Sequence, residues 1–257
     1  MIVDTQTDTH VHTSLCNHAT GSMEDYVKAA ISKGLRRIIF LEHLEEGINA
    51  SFRTWLTEAD FDHYFEQGHE LQHRYRDQIE IGLGAEVGYN PNCVDAIIER
   101  LSRRKWDLIG LSCHFCKIPG HNEHLNLLSR RKKNFAVIDE YGCEKMLSHY
   151  FNALIEGVQN IPAQVLCHLD AGLRHQPRLS INDRHREQIS ILFREVKLAG
   201  MSVEINTSGF DYRNQQFPAT EFLGKARKSG ISFTAASDAH KPSEVGRHFE
   251  KIPELFE

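Results

Sequence analysis

Seven short apolar segments, with stretches of helical periodicity between most of them, constrain this chain more than any other feature. They lie at 5–11, 38–41, 79–87, 108–111, 164–167, 202–205 and 231–236; the first is unusually polar. Strands that alternate with helices cannot be joined by tight hairpins, so they read as a parallel sheet covered by its crossover helices. Ser22-Met-Glu-Asp25 opens a helix as a capping box, and Gly34 closes it. Pro91 predicts a helix from its own first turn to about Arg104. Further helical patterns cover 134–157, 182–199 and 219–229. Seven such units in 257 residues suit a closed β/α barrel as readily as an open sheet. No Pro/Gly/Ser-rich linker divides the chain, which gives one domain over 1–257. Two long insertions, 44–78 with several aromatics and the polar 115–133, are of the length that lids and binding loops take.

Composition narrows the function classes. Thirty basic against 35 acidic residues give a formal charge of −5, which disfavours a protein built to bind the nucleic-acid backbone. No apolar run reaches the roughly 18–20 residues that span a bilayer. The first eight residues carry neither a basic nor an apolar leader, so the expected location is cytoplasmic. Six scattered cysteines read as reduced thiols; Cys113-His-Phe-Cys116 lacks a second C-x-x-C and is expected to be structural. The unusual count is sixteen histidines, the residue most used as metal ligand and as acid–base catalyst.

Their placement matters more than their number. His10 and His12 follow the first strand, with His18 in the next loop. His43 follows the second, Glu86 closes the third, His114 follows the fourth, His168 closes the fifth, and Asp238 and His240 follow the seventh. In a parallel barrel all strand C-termini open on one face, so seven histidines and two carboxylates would converge there. Residues two apart on an extended segment point the same way, which lets the H-x-H pair grip one ion. Nine ligands exceed one four-coordinate site and fit two or three ions. Imidazole–carboxylate mixtures suit zinc, iron or manganese alike. The other nine histidines fall in helices or insertions.

Asp8-x-His10-x-His12, His18, Glu42-His43, Glu86, His114, His168 and Ser237-Asp-Ala-His240 together resemble the polymerase-and-histidinol-phosphatase (PHP) superfamily, from residue 8 to about 249. Glu204-Ile-Asn-Thr-Ser-Gly209, Phe217-Pro218 and Lys241-Pro242 bring the chain nearest the histidinol-phosphatase branch. It departs from that branch at Gly209-Phe-Asp-Tyr-Arg213, and in having Arg174 as the first basic residue after His168. The resemblance implies a distorted seven-stranded β/α barrel with three divalent metal ions. His10, His12, Glu86 and Asp238 would bind one. Glu86, His114 and His168 would bind the second, with Glu86 bridging. His18, His43 and His240 would bind the third.

The resemblance also implies hydrolysis of a small phosphate monoester, L-histidinol phosphate, in histidine biosynthesis. A metal-bridging hydroxide would be the nucleophile. Arg174, Arg178 and Arg213 are candidates to hold phosphoryl oxygens and Asn206 is a candidate substrate contact. Asp238 or His240 would protonate the leaving alkoxide. The aromatic insertion is a candidate wall for the substrate's imidazole, unless its aromatics are simply core. Three other readings compete: a phosphoesterase for other small esters or nucleotides, an amidohydrolase-type metal hydrolase, and a non-enzymatic metal-binding protein.

Overall fold

In the computed structural model, which describes residues 3–176 and 179–257, the alternation becomes a strand–helix order. The first half comprises β1 (Thr7–Val11), α1 (Met23–Ser32), β2 (Arg37–Leu44), α2 (Glu58–Tyr75), β3 (Glu80–Gly88), α3 (Val94–Ser102) and β4 (Ile109–Ser112). A small antiparallel ribbon, β5 (Phe115–Cys116) and β6 (Leu125–Asn126), leads to α4 (Lys132–Tyr141) and α5 (Cys143–Asn160). The chain then runs through β7 (Val165–Leu166), α6 (Asp183–Leu198), β8 (Ser202–Asn206), the short α7 (Gly209–Arg213), α8 (Thr220–Lys228) and β9 (Phe233–Ala236).

The large sheet has the order β1-β2-β3-β4-β7-β8-β9, parallel throughout. Its two edges meet without a regular ladder. A single bridge joins Val11 to Ala239, with the His12 N–H donating to the Ala239 carbonyl at 3.0 Å. Side chains do the rest: Thr9 Oγ1 donates to the Ala235 carbonyl at 3.0 Å, and Asp8 Oδ1 accepts the Ser237 N–H at 2.9 Å. The polar character of the first strand is thus explained. Its hydroxyl and carboxylate close a distorted, nearly complete seven-stranded barrel.

A seven-stranded barrel is narrow, and its interior shows it. The inner core is the small cluster Leu41, Val165 and Cys167, backed by Leu108 and separate from the apolar layer between sheet and helices. Leu41 fits because Gly84 and Gly110 face it. A methyl on Gly84 would lie 2.8 Å from Leu41 Cδ1 and 2.5 Å from the Leu108 carbonyl oxygen, and one on Gly110 2.6 Å from Cys167 Sγ. Both are closer than non-bonded carbon contacts allow.

The helices start and stop largely as the sequence directs. Ser22 with Asp25, Thr57 with Asp60, and Asn182 with His185 all form capping boxes. Two expectations need correction. The third helix begins at Val94, not at Pro91, because Asn90 Oδ1 accepts the Asn92 N–H (3.2 Å) and holds the intervening residues in a turn. The periodicity over 134–157 belongs to two helices, broken at Gly142 with φ +97°. The aromatic insertion is mainly core: Phe61 and Tyr64 are fully buried on α2, Trp55 packs edge-on against Phe115, and Phe52 is exposed.

Candidate metal centre

The pleat that places Leu41 inside the barrel also places His43 inside, two residues on, and the same register on β3 brings Glu86 level with His43. His10 and His12 enter from β1, and His114 lies just past β4. His168 and Asp238 follow β7 and β9 with φ of +21° and +52°. These conformations, uncommon for non-glycine residues, bend the chain off the strand path and turn both side chains over the barrel mouth.

Glu86 is the hub. It is fully buried, and its Oε1 lies 2.7 Å from His168 Nε2 and 3.0 Å from His114 Nε2. Its Oε2 lies 2.9 Å from His43 Nδ1, 3.4 Å from His10 Nε2 and 3.8 Å from His12 Nε2. Asp238 Oδ1 stands 3.4 Å from His12 Nε2. Nearer the opening, His18 Nε2 and His240 Nε2 approach to 2.9 Å. All nine sequence-predicted residues therefore sit at the C-terminal mouth.

Burial would push the Glu86 carboxyl up, but His114, His10, His43 and His168 hold it well below its ordinary value. Asp238 is likewise held well below, against its burial, by its hydrogen bond to His12 and by His10, His240 and Arg174. Burial lowers His43 and His240 far below the ordinary imidazole value, reinforced by neighbouring imidazoles; desolvation by the crowded rings, with His12, lowers His18 even though that residue is exposed at the opening. Burial opposes charge on His10 and His114 as well, but Glu204 and Glu86 raise the first and Glu86 and Glu45 raise the second, to about 10.

This donor set fits divalent cations. His12 Nδ1, His43 Nε2 and His168 Nδ1 are buried with no hydrogen-bond partner among the described residues, a state that is costly unless something else binds them. Donor atoms of His10, His12 and Glu86, of His43, Glu86 and His114, and of His12, His43 and His240 each lie within 4.8 Å of one another. Imidazole nitrogens and carboxylate oxygens at such spacing match borderline divalent ions.

Above the cluster opens a cavity of about 460 Å³. Arg174 lines it; its Nη2 is 3.5 Å from Asp238 Oδ2, and its guanidinium packs against the faces of Tyr212 (5.0 Å) and Phe217 (5.6 Å). The other candidate substrate contacts fare differently. Asn206 is fully buried outside the lining, donating through Nδ2 to Glu204 (2.6 Å) and Asp238 (3.4 Å). Arg213 is also absent from the lining, because its Nη1 donates to the Leu173 carbonyl at 2.7 Å. Arg178 lies outside the described residues. The sequence reading missed Arg130, Lys241, Arg247 and Glu244 on the cavity wall. Arg130 comes from the polar insertion, donating through Nε to His175 Nε2 (3.3 Å) and packing on Tyr212 (5.5 Å). The aromatic insertion contributes only Thr54 to the lining. Cys113 and Cys116 are buried, with sulfurs 3.9 Å apart and no disulfide.

The PHP domain family matches residues 8–208, and a PHP-associated family matches 224–255. A Deinococcus radiodurans protein named "Probable histidinol-phosphatase" is 26% identical over 248 residues, covering 94% of this chain and 89% of that protein. A solved Listeria monocytogenes structure superposes with a TM-score of 0.87 at 19% identity, covering 96% of this chain and 99% of that one. The Lactococcus lactis histidinol phosphate phosphatase, solved with zinc, L-histidinol and phosphate, superposes with a TM-score of 0.78 at 22% identity, covering 97% and 91%. With the barrel, the nine-residue cluster and a family match over most of its length, this chain belongs to the PHP domain family.

Proposed function

We propose that this chain is a metal-dependent phosphatase of the histidinol-phosphatase branch, hydrolysing L-histidinol phosphate to L-histidinol and phosphate. The carrying observation is the convergence of seven histidines with Glu86 and Asp238 beneath a cavity that Arg174 enters from the side. The names of the similar proteins, and the zinc, L-histidinol and phosphate in one of them, support the same reading.

His10, His12, Glu86 and Asp238 would hold one divalent ion, Glu86, His114 and His168 a second, and His18, His43 and His240 a third. When bound, such ions activate water and neutralise phosphoryl charge. Arg174 presents its guanidinium edge beside Asp238, held by the two aromatic faces, and would bind a non-bridging phosphoryl oxygen. Asp238 and His240 reach the cavity together. His240 Nδ1 is committed to the Asp238 carbonyl at 3.0 Å. The Asp238 carboxylate, held ionised, is therefore the better placed of the two to orient the attacking water by accepting its hydrogen bond, while the departing alkoxide takes its proton from water in the cavity, leaving alcohol and phosphate.

A second reading draws on the basic wall. Arg130, Arg174, Lys241 and Arg247 outnumber Asp238 and Glu244 among the charged lining residues, which would suit an ester with a second anionic group. One comparison separates the readings: kcat/KM of metal-loaded protein for L-histidinol phosphate, p-nitrophenyl phosphate and a nucleoside bisphosphate. The expected order puts histidinol phosphate first, despite the better nitrophenolate leaving group, because binding of the non-reacting ring and amine positions the phosphate. A clear preference for the bisphosphate would replace the substrate and keep the metallophosphatase. No phosphate release from any of the three would remove both.

A further inference from the structure

Behind the metal-facing imidazoles lie two buried carboxylates to which the family resemblance gives no role. Glu204, fully buried on β8, has its Oε2 2.7 Å from His10 Nδ1. Its Oε1 accepts the Asn206 amide (2.6 Å) and the His168 backbone N–H (3.3 Å). Glu45, 3% exposed just beyond β2, has its Oε1 2.7 Å from His114 Nδ1. In each pair the other ring nitrogen points to Glu86, at 3.4 Å for His10 and 3.0 Å for His114.

We propose that Glu204 and Glu45 are positioning residues that hold His10 and His114 with Nδ1 protonated, so that both Nε2 lone pairs are presented to the metal ions. The geometry around Glu204 is specific. The amide and backbone partners of its Oε1 can only donate, which fixes the carboxylate plane and turns Oε2 to His10 Nδ1 at 2.7 Å; the ring with hydrogen on that nitrogen leaves Nε2 free for a metal ion. The same carboxylate ties His10 to His168 through backbone and to Asp238 through Asn206, so three of the nine clustered residues share one anchor.

Glu45 has a dedicated slot. A Cβ on Gly88 would collide with the Glu45 carboxylate, and the glycine lies on the inward register of β3, two residues from Glu86. The backbone there keeps an ordinary φ, so the absent side chain serves space and not conformation. A carboxylate behind a ligating imidazole fixes ring orientation and raises basicity, and losing one typically weakens metal binding by about 10–100-fold.

The inference rests on the metal-binding reading above, and the test separates the two. Metal-stripped wild type, E204Q, E45Q and G88A are titrated with Mn²⁺ against a fluorescent chelator, with the melting temperature of each metal-free protein as a folding control. E204Q and E45Q should bind the tightest ions about 10–100-fold more weakly. A glutamine at 204 must turn its NH₂ toward one of the donors already there. G88A, which leaves both Glu45 and His114 chemically intact, should reproduce the E45Q loss. The E204Q penalty should vanish in an H10N background, and the E45Q penalty in H114N. Wild-type affinity in E204Q and E45Q, or penalties that persist undiminished in those backgrounds, would overturn the proposal while leaving the metal centre standing. Absence of Mn²⁺ binding by wild type would overturn both. If E204Q melts too low to titrate, E45Q and G88A decide on their own.

Discussion

His18 and His240, 222 residues apart in sequence, face each other with their Nε2 atoms at 2.9 Å. Each Nδ1 is occupied by a backbone carbonyl, of Cys16 at 2.9 Å and of Asp238 at 3.0 Å. Both Nδ1 atoms must therefore carry hydrogen, and both Nε2 atoms present bare lone pairs to one another. Two opposed lone pairs are stable only with a cation or a proton between them, and the neighbouring imidazoles disfavour protonation of both rings. H18N and H240N are accordingly expected to lose one equivalent of bound metal and to keep the rest, read by elemental analysis of protein purified without chelator. E86Q should be more damaging than H18N, because Glu86 has five histidines around its two oxygens. A loss of about 10³-fold in phosphatase rate for E86Q, against about 10–100-fold for H18N, is the expected order. Equal rates for E86Q and wild type would rule out Glu86 as the bridging ligand.

The barrel's narrowness makes a second prediction. Gly84→Ala introduces a methyl against Leu41 and the Leu108 carbonyl, and overpacking of this kind costs about 1–3 kcal/mol. The strand backbone there cannot yield without disturbing Glu86 two residues on. Chemical denaturation should show reduced stability together with weaker metal binding, whereas an ordinary surface Gly→Ala change would alter neither.

The nine-residue cluster was legible because the period-two alternation of strands and the shared direction of a parallel barrel turn sequence position into spatial position. His43 and Glu86 fall level on neighbouring strands for that reason. The cavity wall was not legible, because its residues sit largely on loops whose paths depend on tertiary packing. Arg130 reaches the cavity wall only because the polar insertion folds back to set its guanidinium on Tyr212. Arg213, one residue from Tyr212, turns away to cap the Leu173 carbonyl. Asn206 followed the strand rule, yet what lay on its inward side was Glu204 and Asp238, not the cavity. Glu45 obeys the same alternation as His43, two residues before it, and that spacing was the available sign of an inward-facing carboxylate.

Acid stability offers a test away from the metal centre. Glu58 begins α2 and pairs with Arg100 (2.8 Å), Arg104 (2.8 Å) and Arg103 (3.4 Å). Partial burial works against its ionisation, but the hydrogen bonds from Arg104 and Arg100 prevail and bring its carboxyl down to about 2 from an ordinary 4.5. A depressed folded-state value means the stabilisation is fully present above about pH 4.5 and is lost as pH falls toward 2. The melting-temperature gap between wild type and E58Q should be widest near neutral pH and should close on acidification to about pH 2. A gap independent of pH would show that the three arginines contribute through packing alone.

Arg174 carries the sharpest prediction for catalysis. Its planar guanidinium is packed against Tyr212 and Phe217, with one edge directed at Asp238. Lysine can supply the charge but neither the stacking nor the fork that matches a phosphoryl group. R174K should therefore reduce kcat/KM for phosphate monoesters by about 10²-fold, the order of a lost oxyanion contact. Inorganic phosphate should weaken as a competitive inhibitor in the same variant, with metal content unchanged. Y212A, which removes the ring between Arg130 and Arg174, should move in the same direction by a smaller factor, since Phe217 still holds one face of Arg174. If R174K keeps wild-type kcat/KM and phosphate inhibition, the phosphoryl group is held elsewhere on the wall, and Arg130, Lys241 and Arg247 become the residues to replace next.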